Sequence, residues 1–209
     1  MLKRLIVGLI VIASISSFTA CSSNKKAVET SNQPANAQTN TQASKPNEST
    51  PKKDDSIKAG QYKVGVDIQP GEYLVVGDSG GGYVEVAKDS KGSIESIVMN
   101  DNIQGRVYVT IEAGQYITIK DAKTYTIDKA PKVAAKDNKL PSGQYKVGVD
   151  IQPGEYKVAS ASESYIEVSK SSRHKIEDIV TNDNFTGEKY ITIADGQYIT
   201  IKDGELLLK

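Results

Sequence analysis

The strongest constraint on the fold of this chain is an internal repeat. The segment Gly60–Tyr73 reads GQYKVGVDIQPGEY, and the same fourteen residues return without a change at Gly143–Tyr156. A second block, GQYITIKD, begins at Gly114 and again at Gly196. Self-similarity at a fixed spacing indicates two copies of one structural unit. Two copies are too few for a solenoid, so we expect two domains that each fold on their own.

The composition between these blocks sets the expected domain boundaries. We expect the β-domain copies at residues 59–127 and 142–209, joined by a polar linker that contains Pro and Lys at residues 128–141. Residues 21–58 consist mostly of Ser, Thr, Asn, Gln, Lys and Pro, and they offer little to bury. Such a segment cannot offset the entropy lost on ordering, so we expect a disordered stalk there. Residues 1–20 have the pattern of a signal peptide.

Both copies show the period of two that is typical of β-strands. Apolar residues occupy every second position from Tyr62 to Ile68, and segments 83–86, 107–111 and 116–119 alternate in the same way. Residues 93–102 are ambiguous, because their apolar residues fit either a helix or an irregular strand. At least five short strands in each copy predict an all-β fold of two tandem small antiparallel β-sandwich or β-roll domains.

Two turn signals predict how the strands connect. Pro70-Gly71 suits the centre of a type II turn, so we expect the strand at residues 72–76 to run antiparallel to the strand before it. Ala113-Gly114, matched by Asp195-Gly196, is typical of a hairpin turn between the last two strands.

The amino terminus resembles a bacterial lipoprotein signal. Lys3 and Arg4 precede the uncharged, mostly apolar stretch Leu5–Phe18, and Phe18-Thr19-Ala20-Cys21 resembles the lipobox. The resemblance implies a diacylglyceryl group on Cys21 and cleavage after Ala20. The alternative is an ordinary secretory signal with an incidental cysteine. We expect a protein anchored by lipid on Cys21 to the extracytoplasmic face of the cell membrane, with the membrane as its first partner.

The repeated motif resembles a small β-domain of Gram-positive bacterial cell-surface lipoproteins. The shared pattern is GxYxVGxDIxxGEY, followed by YV/IEV, NDN and YxTIxxGQYI. It covers Gly60–Ile119 and Gly143–Ile201, most of the chain after the signal. The family it resembles is uncharacterised, so the resemblance implies a location at the cell envelope and no activity.

Alternation within the strands predicts which side chains leave the core, because neighbouring residues of a strand point to opposite faces. Val84 and Val86 are matched by Ile166 and Val168, so these positions are expected inside and Tyr83 outside. The same reasoning gives six outward tyrosines as a candidate binding face: Tyr83, Tyr108, Tyr116, Tyr165, Tyr190 and Tyr198.

Two interpretations of these tyrosines remain open. Exposed aromatic side chains bind sugars, peptides or proteins. Alternatively, the tyrosines are half-buried neighbours on a sheet or are covered by a second layer. Leu74 is matched by Lys157, which predicts that this position faces solvent while Tyr73 and Val75 face the core.

Signatures of catalysis and of metal binding are weak. His174 is the only histidine and has no counterpart in the first copy, so we expect it to be solvated. Because His174 is expected in an exposed loop without partners, the Ser, Asp and Glu side chains lack an activating base for nucleophilic hydrolysis. Asn100–Asn102 and Asn182–Asn184 repeat an NDN motif that could supply oxygen ligands to Ca²⁺, but an Asx-turn explains it better. We expect no enzyme activity, no cofactor and no metal site.

The net charge of the two copies limits the classes of binding partner that we expect. Residues 59–209 carry 18 basic and 22 acidic side chains, a net charge of −4, which makes nucleic acid a poor candidate. The sequence therefore favours a non-catalytic binding module at the cell envelope, for a cell-wall glycan or a surface protein. A structural or spacer lipoprotein without a ligand is the alternative. A small hydrolase that uses paired carboxylates ranks third.

Overall fold

The computed structural model describes residues 54–209, where the predicted all-β fold is confirmed. The signal peptide, Cys21 and nearly all of the predicted stalk lie outside the described residues. The strands of the first copy are β1 (Gly60–Lys63), β2 (Gly71–Gly77), β3 (Gly82–Ala87), β4 (Ile97–Ile103), β5 (Arg106–Ile111), β6 (Tyr116–Lys120) and β7 (Ala122–Thr126). They form one antiparallel sheet in the order β1-β6-β3-β4 and another in the order β5-β2-β7.

The second copy repeats this arrangement with longer strands. Its strands are β8 (Lys139–Leu140), β9 (Gly143–Lys146), β10 (Gly154–Ser169), β11 (Ile179–Ile193), β12 (Tyr198–Lys202) and β13 (Glu205–Leu207). Strand β10 pairs with β13 through its first half and with β12 through its second half, so it contributes to both layers. Its pairing with β11 shifts register between Ser160 and Ser164, where β10 passes from one layer to the other.

Each copy has its own hydrophobic core between two sheet layers. In the first copy, Val75 and Val109 from the three-stranded sheet pack with Val84, Val86 and Ile117 from the four-stranded sheet. The second copy buries the equivalent positions in a separate cluster. The inward positions that alternation predicts within β3, β5 and β6 are therefore confirmed. Among residues 54–209, no helix is long and apolar enough to cross a membrane.

Four core tyrosines share one backbone interaction that the repeated block encodes. Each hydroxyl donates to the carbonyl oxygen of the residue four positions earlier, at distances between 2.6 and 3.0 Å. These tyrosines are Tyr62, Tyr73, Tyr145 and Tyr156. A phenol ring can then fill the core while its hydroxyl keeps a hydrogen-bond partner.

The predicted strand from Tyr62 to Ile68 is wrong beyond Lys63. The chain folds into a tight turn there, and Val66 at its tip is 70% exposed. Gly65 adopts φ +90°, a left-handed conformation that favours glycine. The Asp67 carboxylate accepts the backbone N–H of Lys63 at 2.8 Å and closes the turn. The alternation of apolar residues continues through this turn, although the backbone has left the strand.

The two predicted strand connections are also wrong. Strand β1 pairs with β6 whereas β2 pairs with β5 and β7, so the turn at Pro70-Gly71 joins different sheets. Likewise β5 and β6 lie in different sheets, so Ala113-Gly114 is a crossing between layers and not a hairpin. Turn chemistry signals a change of direction, but the hydrogen-bonding partner of the next strand depends on packing.

The ambiguous segment 93–102 contains both kinds of structure. Ile94–Ser96 forms a short 3-10 helix, and β4 begins at the next residue. The NDN motif lies within β4, where Asn100 pairs with Glu85 and Asn102 with Tyr83. The predicted Asx-turn is therefore wrong, because the motif lies inside a sheet.

Part of the chain between the copies is also folded. Lys136 and Lys139 exchange two backbone hydrogen bonds of 3.0 and 2.9 Å, and Asp137 and Asn138 between them have φ of 53° and 56°. Two positive φ values in a two-residue loop are typical of a type I′ turn. Val133 packs against the second core, so this segment is attached to the second copy.

Candidate binding faces

The six predicted tyrosines lie outside the two main cores but differ in their environments. Tyr190 is 61% exposed, whereas Tyr108 and Tyr198 are only 1% and 5% exposed. Tyr83, Tyr116 and Tyr165 are half-buried. The interpretation as an exposed binding face is therefore wrong for Tyr108 and Tyr198, and the alternative of a covered position applies to these two. Both point away from the core of their own copy, and the other copy covers them.

An apolar contact between the copies explains this burial. The Tyr108 and Tyr198 rings meet edge to face with centroids 5.7 Å apart, and Leu74 packs with them at 0% exposure. The prediction that Leu74 faces solvent is wrong, because the second copy covers that face of the first. At the equivalent position Lys157 has no such cover and is partly exposed.

The contact uses one outer face from each copy. The β2–β5 face belongs to the first copy and consists of Glu72, Leu74, Arg106, Tyr108 and Thr110. The β9–β12 face belongs to the second copy and consists of Gln144, Lys146, Tyr198 and Thr200 together with Asp150 from the turn after β9. Residues 54–209 consequently fall within one compact unit.

Glu72 is the polar centre of this contact. Its carboxylate accepts hydrogen bonds from Lys146 Nζ at 2.6 Å, from Ser172 Oγ at 2.6 Å and from the Tyr198 hydroxyl. Burial opposes ionisation of the carboxyl group, but these three donors outweigh it and lower the pKa of Glu72. All three donors come from the second copy, so the charge on Glu72 stabilises the association of the copies.

A buried ion pair lies beside it. Arg106 Nη2 is 3.1 Å from Asp150 Oδ1, and the Tyr108 hydroxyl donates to Asp150 Oδ2 at 2.8 Å. The guanidinium also lies over the Tyr108 and Tyr145 rings, 5.6 and 5.8 Å from their centroids. Burial and the adjacent Asp150 raise the pKa of Tyr108, which remains a neutral donor.

Side-chain and backbone groups of the second copy also form hydrogen bonds along the free edge of β5. The Tyr108 N–H donates to Gln144 Oε1 at 2.9 Å, and the Tyr108 carbonyl lies 2.7 Å from His174 Nε2. The Thr110 N–H donates to the Ser172 carbonyl at 2.9 Å. His174 is therefore not simply solvated, as the sequence predicted, but contacts the backbone of the first copy. An edge strand protected in this way cannot pair with another chain.

The close approach of the two backbones requires glycine at one position. Gly105, in the turn between β4 and β5, has φ +78°, and a Cβ there would lie 2.4 Å from the Ser142 carbonyl oxygen. Nearby, Gln104 exchanges hydrogen bonds of 2.9 and 3.0 Å with Asp203, and Lys202 pairs with Asp101.

The outer face of the four-stranded sheet in the first copy is open and carries two of the predicted tyrosines. Tyr83 donates to Glu85 at 2.6 Å, and Lys120 lies 5.5 Å from the Tyr83 ring centroid. Lys63 lies 5.9 Å from the centroid of Tyr116. In the second copy, Tyr165 donates to Glu167 at 2.6 Å, and burial together with this bond raises its pKa to about 12.

The open face is suited to recognition. Its tyrosine rings lie beside charged side chains, and rings of this kind can stack on a flat ligand while their neighbours form hydrogen bonds. An open depression of about 490 Å³ borders Tyr83 at the Gly80–Gly82 loop. Within residues 54–209, no group of three or more His, Cys, Asp or Glu side chains is arranged to hold a metal ion.

Sequence reasoning missed the residues that join the copies. Glu72, Arg106, Gln144 and Asp150 are ordinary polar positions of a strand or a turn. The available signal was the pair of charge-altering differences, Leu74 against Lys157 and Arg106 against Glu188. These differences indicate that the equivalent positions of the two copies have different neighbouring residues.

Comparison with known families supports the two-copy organisation. A family model described as the Rv1352-like extracellular domain matches the chain twice, at residues 53–119 and 136–200. No curated protein and no solved structure matches.

Proposed function

Because the chain belongs to the family of Rv1352-like extracellular domains, we propose that it is a lipid-anchored binding protein of the cell envelope. Lipid on Cys21 holds it on the extracytoplasmic face of the cell membrane. Its two domains act as a non-catalytic module that binds a cell-wall glycan or a surface protein. The extracellular family and the lipobox-like segment Phe18-Thr19-Ala20-Cys21 support this location.

The observation that carries the binding role is the open sheet face of the first copy. Tyr83 and Tyr116 lie there next to Lys63, Glu85 and Lys120, and no other part of residues 54–209 covers them completely. Buried aromatic anchors surrounded by polar groups dominate binding energies at interfaces. The sole histidine contacts a backbone carbonyl, and this also favours recognition over catalysis.

The lipid anchor is tested by replacing Cys21 with Ser. We expect loss of labelling by a fatty-acid analogue, because the thiol is the acceptor of the diacylglyceryl group. The variant should remain as uncleaved precursor or leave the membrane fraction. The native chain is the control. Label retained on the Cys21→Ser variant would refute the anchor.

The binding face is tested by retention on isolated cell wall. Tyr83→Ser combined with Tyr116→Ser should lower retention by about tenfold or more, since two aromatic contacts are removed. The melting temperature should change little, because both side chains are partly exposed. Tyr190→Ser, the same substitution on another face, is the control. If Tyr190→Ser lowers retention and the double variant does not, the face is wrongly assigned.

A further inference from the structure

The contact between the two copies is heterologous, because it joins different faces of two similar domains. The β2–β5 face of the first copy is occupied, as is the β9–β12 face of the second. A heterologous contact leaves one unmatched face at each end. The unmatched counterparts are the β1–β6 face of the first copy (Gln61, Lys63, Asp67, Tyr116 and Thr118) and the β10–β11 face of the second copy (Glu155, Lys157, Glu188, Tyr190 and Thr192).

The open β1–β6 face has the same residues as the occupied β9–β12 face at all five positions. Its geometry matches as well. Gln61 donates to Thr118 at 3.1 Å, as Gln144 donates to Thr200 at 3.0 Å. In both copies this bond fixes the glutamine side chain, so the Oε1 of Gln61 remains free for the role that Gln144 Oε1 performs.

The turn beside the face also matches. Asp67 accepts the N–H of Lys63 at 2.8 Å, and Asp150 accepts the N–H of Lys146 at 2.9 Å. The carboxylate that binds Arg106 in the second copy is therefore already positioned in the first.

The loop that borders the face differs at several positions, one of which removes a hydrogen bond. Ser90 stands where Ser172 contacts Glu72, and Gly92 replaces His174. A domain docked on the β1–β6 face would lose the hydrogen bond from His174 and could keep the others.

The open β10–β11 face of the second copy does not have the same residues as the occupied β2–β5 face of the first copy. Lys157 replaces Leu74 and Glu188 replaces Arg106, and the two new side chains pair at 3.0 Å. Lys157 also lies 5.6 Å from the Tyr190 ring centroid. On docking, Glu188 would face Asp67, and Lys157 would be buried against Tyr116. Like charges and a buried amine oppose this contact, so a second copy of the same chain is a poor occupant.

We infer that the β1–β6 face is a docking site for an Rv1352-like domain of a different protein chain. That domain carries an aliphatic residue and an arginine at the positions of Leu74 and Arg106. The inference rests on the proposed binding function and names a protein partner for part of the same open face. The occupied β9–β12 face shows how the residues of such a site receive such a domain.

The test uses a probe chain made from this protein. The probe is the full-length chain with Lys157→Leu and Glu188→Arg. These substitutions give its β10–β11 face an aliphatic residue and an arginine, as on the β2–β5 face. Gln61→Arg blocks the probe's own β1–β6 face, and Cys21→Ser removes the lipid from all chains compared. Sedimentation should show a one-to-one complex with the otherwise unmodified chain, at least tenfold tighter than its self-association. Gln61→Arg in the unmodified chain should weaken the complex at least tenfold.

Matching controls keep the result interpretable. Gln61 is exposed, so its substitution should leave the melting temperature unchanged. A second probe without Glu188→Arg should bind with intermediate affinity. A folded probe that fails to bind overturns the inference, and so does equally tight binding by the unmodified chain. If the probe fails while retention on cell wall still depends on Tyr83 and Tyr116, the proposed binding function stands with a different ligand.

Discussion

Tyr108 and Tyr190 occupy the same position in the two copies, yet their environments are opposite. Tyr108 donates to Asp150 at 2.8 Å in a buried contact, whereas Tyr190 is 61% exposed. The residue type is the same and the strands are equivalent, but the second copy covers Tyr108 and no domain covers Tyr190. At the scale of single residues, a position in one copy can therefore be compared with the equivalent position in the other copy.

We predict that Tyr108→Phe lowers the free energy of unfolding by about 1–3 kcal/mol, because the charged Asp150 carboxylate loses a buried hydrogen-bond donor. Tyr190→Phe should change it by less than about 0.5 kcal/mol. Urea unfolding at neutral pH measures both. Equal effects at the two positions would contradict the assigned contact.

At the scale of elements, β5 is the edge strand that the second copy protects. Its equivalent, the second half of β11, pairs only with β10. Glu72 on β2 adds an ionic contact beside β5, with three donors from the second copy. Part of the association between the copies therefore depends on the ionisation of the Glu72 carboxyl group.

Measuring stability as a function of pH should reveal the contribution of the Glu72 carboxylate. The folded-state pKa of Glu72 lies below its ordinary value of 4.5, so the carboxylate stabilises the protein above that pH. Its contribution is lost as the pH falls through the folded-state pKa. We predict that Glu72→Gln lowers stability at pH 6 and flattens the loss between pH 6 and pH 3, measured by urea unfolding. Glu155→Gln, the exposed equivalent, should leave the native pH profile unchanged. Identical profiles for the two variants would contradict the role of Glu72.

At the scale of the whole molecule, two separate cores lie within one compact unit. The expectation that each copy folds alone stays a prediction, which their separate cores support. Leu74 is the residue whose replacement should separate them, because the second copy already has lysine at the equivalent position.

We predict that Leu74→Lys detaches the copies without unfolding them, because a lysine amine cannot be buried there without a partner. The β-sheet content by circular dichroism should persist. The radius of gyration from small-angle scattering should increase. Leu74→Met, which keeps an apolar side chain of similar volume, is the control. Loss of all β structure in Leu74→Lys would show that neither copy folds alone.

The local pattern of the sequence determined how many copies exist, that they are β-sandwiches, and which side of each strand faces its own core. Val84, Val86 and Tyr83 could be assigned correctly because side chains alternate on any strand. The strand partners of β1 and β5 could not be assigned, because a turn motif does not encode which sheet the next strand joins.

Only the tertiary structure determined whether the outward side chains are buried or exposed to solvent. Leu74 and Tyr108 are buried, whereas Lys157 and Tyr190 at the same positions are accessible. Alternation places a side chain outside its own core, but whether water or another domain covers it depends on residues far away in the chain. Leu74 contacts Tyr198, more than one hundred residues later, and no pattern within a single strand contains that information.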